Sequence, residues 1–303
     1  MPALRGALHA ALLGVNTLLA FALMVPPALV KLLVPSDRVR TGCDRVLNAL
    51  AAAWVAVNNA WIALACPAPW QISGVDGLNR RGWYLVSSNH QSWVDILVLQ
   101  RVFHGRIPFL KFFLKRELIW VPVIGLAWWA LDFPFMKRGR GRSMGRGDLA
   151  TTRRSCEKFK RVPTTVINFV EGTRFTAAKH AAQNSSYRHL LEPRTGGLGV
   201  ALATLGEQFE AMLDVTIVYP EGTPSFWALL CGNVKAITVD VRRRAIPPHL
   251  LGGDSSGDKA RRERLRKWIE AQWKDKDRLI QRRLPAARGG RERRVQRTAH
   301  GPR

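Results

Sequence analysis

Ser88-Asn89-His90-Gln91-Ser92-Trp93-Val94-Asp95 is the stretch on which the fold of this chain turns. The run before it, Trp83-Tyr84-Leu85-Val86-Ser87, is β-branched and aromatic and predicts a strand. The run after it, Ile96-Leu97-Val98-Leu99, predicts the buried face of a helix. His90 and Asp95 therefore fall at a strand-to-helix turn. There an imidazole can project into a cleft while a carboxylate one turn further on reaches back to its other ring nitrogen. Such a contact fixes the tautomer and makes the free nitrogen a better base. Chance supplies a histidine and an aspartate at this spacing readily, so the surrounding chain has to decide what the pair does.

Outward from this turn, strand-like runs at 83–87, 107–110, 133–136, 165–170, 213–219 and 236–241 alternate with helical patterns near 94–102, 115–129, 148–160 and 197–209. Alternation of this kind predicts an α/β domain over 74–250, with a mixed central sheet flanked by helices. Upstream lie two uncharged stretches. The first, from Gly6 to Val30, exceeds the roughly 20 residues that a helix needs to span a bilayer and has no small-residue cleavage site after it. The second runs from Val46 to Ser73, and its Asn58-Asn59 pair with Trp54, Trp61 and Trp70 gives it an interfacial character. Residues 1–73 are thus expected to form a membrane-embedded helical hairpin. The basic residues Lys31, Arg38, Arg40 and Arg45 between the stretches disfavour two full crossings, so either a hairpin dips into one leaflet or one span is followed by a surface helix. Both place the domain on the cytoplasmic face of the cell (inner) membrane.

Residues 251–303 are intensely charged. Leu265, Trp268, Ile269 and Trp273 recur at helical spacing and predict an amphipathic helix with a basic face over 258–281. Beyond Pro285 the Arg/Gly-rich end is expected to be disordered. The net charge of +25 calls for an anionic partner: nucleic acid, an anionic membrane or a phosphorylated substrate. The four cysteines are scattered with no paired spacing, so neither a zinc site nor a disulfide framework is indicated.

A second distinctive stretch is Phe169-Val170-Glu171-Gly172-Thr173-Arg174, leaving a predicted strand. A carboxylate, a glycine, a hydroxyl and a guanidinium in one tight turn suit a phosphate, because Gly172 admits close backbone approach, Thr173 can donate and Arg174 can grip two oxygens. An ordinary turn with an internal Glu-Arg pair would read the same.

Asn-His-x-Ser-x-x-Asp followed some eighty residues on by Phe-x-Glu-Gly-Thr-Arg resembles the glycerolipid acyltransferase family, which includes 1-acylglycerol-3-phosphate acyltransferases. Two more blocks agree in order: Leu114-Lys115-Arg116-Glu117-Leu118 with Pro122, Gly125 and Phe135-Met136-Lys137-Arg138, and Leu213-Asp214-Val215-Thr216-Ile217-Val218-Tyr219-Pro220 in a lysocardiolipin-acyltransferase-like form. The sequence departs from many bacterial members at Met136-Lys137-Arg138 and in the fourth block.

The resemblance implies transfer of a fatty acyl group from a thioester of CoA or acyl carrier protein to a lysophospholipid hydroxyl. The foremost acceptor is 1-acyl-sn-glycerol-3-phosphate, giving phosphatidic acid; lysophosphatidylglycerol or a lysocardiolipin is the alternative. His90 would be the general base and Asp95 its orienting partner, in an HX4D motif. Asn89 and the first amides of the following helix are candidates for the oxyanion or for positioning. Lys115, Arg138, Glu171, Gly172, Thr173 and Arg174 would form the acceptor site. The proposed chemistry needs no serine nucleophile, so direct transfer is preferred over an acyl-enzyme. No cofactor or metal is called for, anionic membrane lipid is an expected partner, and nucleic acid is not. The rival class, a membrane-tethered nucleic-acid binder, would explain the charge but not four ordered blocks.

Overall fold

The computed structural model describes residues 2–66, 68–136, 157–251 and 259–285. Its centre is strand β2 (Trp83–Ser88), five of whose six residues are buried. A strand covered on both faces reads as an unbroken apolar run, which is what Tyr84-Leu85-Val86 supplies. Tyr84 and Val86 join a core cluster on one face of the sheet and Leu85 joins a second cluster on the other.

The remaining strands are β1 (Trp70–Ser73), β3 (Leu110–Phe112), β4 (Leu114–Lys115), β5 (Phe135–Met136), β6 (Thr165–Phe169), β7 (Phe209–Val218) and β8 (Ile237–Arg244). Six of them form one sheet in the order β1-β8-β7-β2-β6-β3, while β4 and β5 pair separately. β3, β6, β2 and β7 run parallel; β8 is antiparallel to β7 and carries β1 alongside it in parallel. The expected mixed sheet is what forms. The helices are α1 (Pro2–Leu33), α2 (Asp37–Ala65), α3 (Val94–Phe103), α4 (Ile124–Ala130), α5 (Ala177–Gln183), α6 (Gly196–Leu205), α7 (Phe226–Leu230) and α8 (Lys259–Arg283).

Some local expectations shift. Strand β1, at the tail of the second apolar stretch, pairs Trp70 with Ile237 and Ser73 with Asp240, so the central sheet begins before residue 74. The helix expected over 115–129 is broken into a 3-10 turn (Arg116–Trp120) and α4. Pro122 lacks an amide hydrogen, and at Gly125 a side chain would collide with the Ile119 carbonyl. β7 starts at Phe209, four residues earlier than its β-branched core suggests. Arg138, most of the helix expected over 148–160 and the end expected to be disordered lie outside the described residues.

α1 and α2 are each long and apolar enough to cross a membrane, with mean hydropathy of 2.0 and 1.4 over their most apolar windows. They are zipped by polar contacts: Asn16 Nδ2 donates to Asn58 Oδ1 (2.8 Å) and to the Trp54 carbonyl (3.1 Å), and Trp54 Nε1 donates to Thr17 Oγ1 (3.1 Å). The Asn58 side chain therefore serves helix pairing. α1 lies along the α/β domain. Near its start, His9 Nδ1 meets the Leu230 carbonyl of α7 at 2.6 Å, and near its end Lys31 Nζ donates to the Ala130 carbonyl of α4 (2.9 Å) and pairs with Asp44 (2.7 Å) and Asp132.

Candidate active site

The carboxyl ends of the adjacent strands β6, β2 and β7 bring the chemistry together, the edge where α/β sheets present their ligand sites. His90 leaves β2, Glu171 leaves β6 and Tyr219 leaves β7. The Asp95 carboxylate folds back over the start of α3. Its Oδ2 accepts from His90 Nδ1 (2.8 Å), Gln91 N (2.6 Å) and Ser92 N (2.8 Å), and its Oδ1 accepts from the Tyr219 hydroxyl (2.6 Å). Asp95 is fully buried. A carboxylate with four donors stays an acceptor, so the imidazole proton sits on Nδ1 and Nε2 is left as the basic nitrogen. Burial beside Asp95 pushes the Tyr219 phenol well above its ordinary range, so it remains a donor. Phe169 stacks on the imidazole, with centroids 3.9 Å apart and planes 13° from parallel.

The two distant motifs are joined through the main chain of His90. Its N–H donates to Glu171 Oε1 (2.8 Å) and its carbonyl accepts from Phe175 N (2.7 Å). Glu171 Oε2 accepts from Leu191 N (3.0 Å). Glu171 is fully buried, and burial pushes its pKa up to about 7, with the two amides and Lys276 opposing and Asp95 adding to the rise. The Glu171 oxygens face inward, held by the two amides, so within the expected acceptor site its place is to shape the turn. Gly172 sits at φ +67°, a left-handed conformation that glycine adopts without strain.

Of the two roles open to Asn89 and the amides of this turn, the contacts present are positioning ones. Asn89 exchanges Nδ2 to the Ile217 carbonyl (2.9 Å) and Ile217 N to Oδ1 (2.8 Å), so its side chain imitates a strand residue and pins the turn to β7. The amides of His90, Gln91 and Ser92 are taken by the two carboxylates, and Val94 N is taken by Ser92 Oγ (3.1 Å).

His90, Gly172, Thr173 and Arg174 line one end of an apolar cavity of about 440 Å³. Its walls include Phe21 and Met24 of α1, Trp54 of α2, and Val123 and Trp128 around α4. Arg174 is exposed and lies over the Trp93 ring at 5.0 Å, while Thr173 Oγ1 accepts from Lys179 Nζ (2.8 Å). The backbone of Lys115 pairs with Met136, but its side chain, like all of Arg138, lies outside the described residues.

Three participants carried no role in the sequence. Tyr219 stood in a quoted block, and a tyrosine ending an apolar strand needs a partner for its hydroxyl. Trp273 and Lys276 belong to α8, whose Leu265, Ile269 and Ile280 pack on the core. Trp273 Nε1 donates to the Leu191 carbonyl (3.0 Å), extending the Glu171 link by one residue. Lys276, 1% exposed, pairs with Asp214 (2.6 Å) and donates to the Val215 carbonyl. Burial lowers its pKa, and Asp214 opposes that.

Residues 70–220 match the Acyltransferase family. 1-Acyl-sn-glycerol-3-phosphate acyltransferase 3 of Arabidopsis thaliana is 31% identical over 175 residues, 52% of this chain and 45% of its own length. Lysocardiolipin acyltransferase 1 of Danio rerio is 25% identical over 294 residues, 92% of this chain and 71% of its own. The chain thus spans about half the length of the first of these relatives. A crystal structure of a 1-acyl-sn-glycerophosphate (LPA) acyltransferase from Thermotoga maritima aligns with a TM-score of 0.47 at 19% identity, covering 94% of this chain and 100% of that one. By the match over 70–220 and the ordered motifs within it, the chain belongs to the acyltransferase family.

Proposed function

We propose that the protein is a membrane-bound O-acyltransferase that moves a fatty acyl group from acyl-CoA or acyl-ACP to the hydroxyl of a lysophospholipid, foremost 1-acyl-sn-glycerol-3-phosphate, giving phosphatidic acid. The observation that carries this is the His90-Asp95 contact of 2.8 Å opening onto an apolar cavity with Arg174 at the same end. His90 Nε2 takes the proton of the acceptor hydroxyl as its oxygen bonds to the thioester carbonyl carbon. The C–S bond then breaks and the imidazolium returns the proton to the departing thiolate. Asp95 holds the ring and stabilises the imidazolium, Arg174 pairs with the acceptor phosphate, and the acyl chains occupy the apolar walls.

Membrane attachment is supported by α1, long and apolar enough to cross a bilayer. A helix crossing the hydrocarbon would carry one end about 30 Å from the domain. α1 has both ends tied to the domain, which supports a hairpin resting in one leaflet, with the basic surface on the cytoplasmic side. Acyl transfer to lysophosphatidic acid by membranes carrying the parent or His90→Ala tests the assignment: full activity in the variant excludes His90 as the base. The relative aligned over 92% of this chain favours a lysocardiolipin acceptor as the second reading. Lysophosphatidic acid, lysophosphatidylglycerol and lysocardiolipin compared side by side separate the two.

A further inference from the structure

From Leu118 through Leu131 the chain carries no charged residue. The segment folds as an elbow: the 3-10 turn (Arg116–Trp120), a left-handed Val123 at φ +65°, and α4. A β-branched residue in that conformation is strained, so the surroundings hold the elbow in place. Two contacts do so. Gly125 packs against the Ile119 carbonyl with no room for a side chain, and Lys31 of α1 grips the Ala130 carbonyl and Asp132.

The elbow has two apolar faces. Leu118, Val123, Ala127 and Trp128 line the cavity that ends at His90. Trp120, Leu126 and Trp129 face outward, 84%, 54% and 45% exposed. Large apolar groups exposed together mark a surface that something covers. What covers it is indicated by its neighbour: Trp129 and Ala130 adjoin Ala28 and Leu32 of α1, whose most apolar window is only 6% buried within the protein. The elbow's outer face continues the surface of that helix, and tryptophans belong at the headgroup boundary.

We infer that the elbow 118–131 inserts into the acyl-chain layer of the same leaflet as α1, forming a third membrane-seated element and one wall of the passage from bilayer to His90. This rests on the membrane attachment of α1 proposed above. Leu126 does not line the cavity, so it can be changed without touching the site.

The test labels single cysteines with bimane at Leu126→Cys, Leu19→Cys on α1 and Arg278→Cys on α8, with the four native cysteines replaced by serine or alanine, in full-length protein reconstituted in phosphatidylethanolamine/phosphatidylglycerol vesicles. Leu19 and Arg278 are both exposed. Brominated acyl chains should quench the label at 126 about as strongly as at 19 and leave the label at 278 unaffected. Quenching at 19 without quenching at 126 overturns the elbow's insertion while leaving the anchor intact; cross-linking of two copies through residue 126 would then identify a second copy as the cover. Quenching at neither site overturns the membrane anchor and the elbow with it. Leu126→Glu should raise KM for a vesicle-borne acceptor roughly tenfold, equivalent to about 1.4 kcal/mol for placing a carboxylate at shallow depth. Its kcat on detergent-dispersed acceptor should match that of the parent, and an unchanged KM in vesicles would count against insertion.

Discussion

Replacing Glu171 by glutamine separates the charge of a buried carboxylate from its shape. The two oxygens accept from His90 N at 2.8 Å and Leu191 N at 3.0 Å, and burial lifts the carboxyl pKa from 4.5 to about 7. The folded protein therefore prefers the protonated acid more than the unfolded chain does. Stability from this group is complete below pH 4.5, drains as pH rises from there through about 7, and is flat above. The interval between the two pKa values corresponds to about 3 kcal/mol. Glutamine resembles the protonated acid, with one acceptor and one donor, and cannot ionise. Glu171→Gln should match the parent's stability near pH 4.5 and exceed it by about 3 kcal/mol above pH 8, roughly 6 °C or more in Tm. Its activity should fall, because only the carboxylate accepts from both amides. Loss of one hydrogen bond to a charged acceptor, about 1.5 kcal/mol, lowers kcat about tenfold. Thermal unfolding at pH 4.5, 6.5 and 8.5 alongside acyl-transfer kinetics gives both readouts. A stability gap that ignores pH, or a variant less stable than the parent at pH 8.5, would refute the buried ionising carboxylate.

Tyr219→Phe removes the hydroxyl 2.6 Å from Asp95 Oδ1; kcat should drop about tenfold, and the freed negative charge should move the acid limb of the pH–rate profile upward. Trp273→Phe keeps the ring in the core but loses the bond to the Leu191 carbonyl. Denaturant unfolding should show a loss of about 1 kcal/mol, and kinetics should show a lower kcat with KM unchanged. Lys276→Met leaves buried Asp214 with only the longer contact to Arg244 at 3.8 Å, costing up to about 3 kcal/mol, whereas Lys276→Met with Asp214→Asn should recover most of it in a double-mutant cycle.

His90 and Asp95 were legible because strand, turn and helix each announce themselves over a few residues, and the ordered blocks around them give an otherwise common spacing its meaning. The alternating runs likewise carried the mixed α/β sheet. Strand β1 was hidden because Trp70-Gln71-Ile72-Ser73 is too short to show a period and sits at the end of a longer apolar run. The elbow was misjudged as one helix because the apolar spacing of 115–129 continues through Pro122, and the close approach at Gly125 is a tertiary fact. Glu171 looked like a ligand group since its neighbours Thr173 and Arg174 do reach the cavity; the sequence cannot say that β6 ends with the carboxylate facing in. Lys276 carried no role in the sequence because its partner Asp214 lies on a strand distant in sequence.

The attachment of both ends of α1 to the α/β domain bears on where the enzyme can live. An anchor that threads the bilayer must match hydrocarbon thickness, and mismatch costs fractions of a kcal/mol per ångström. One that rests along a single leaflet has no such length to match. On the function proposed above, its encounter with a lysolipid would be a two-dimensional search in which surface mole fraction, and not bulk concentration, sets the rate. With the single-leaflet seating proposed above, the same protein would serve thin and thick membranes alike.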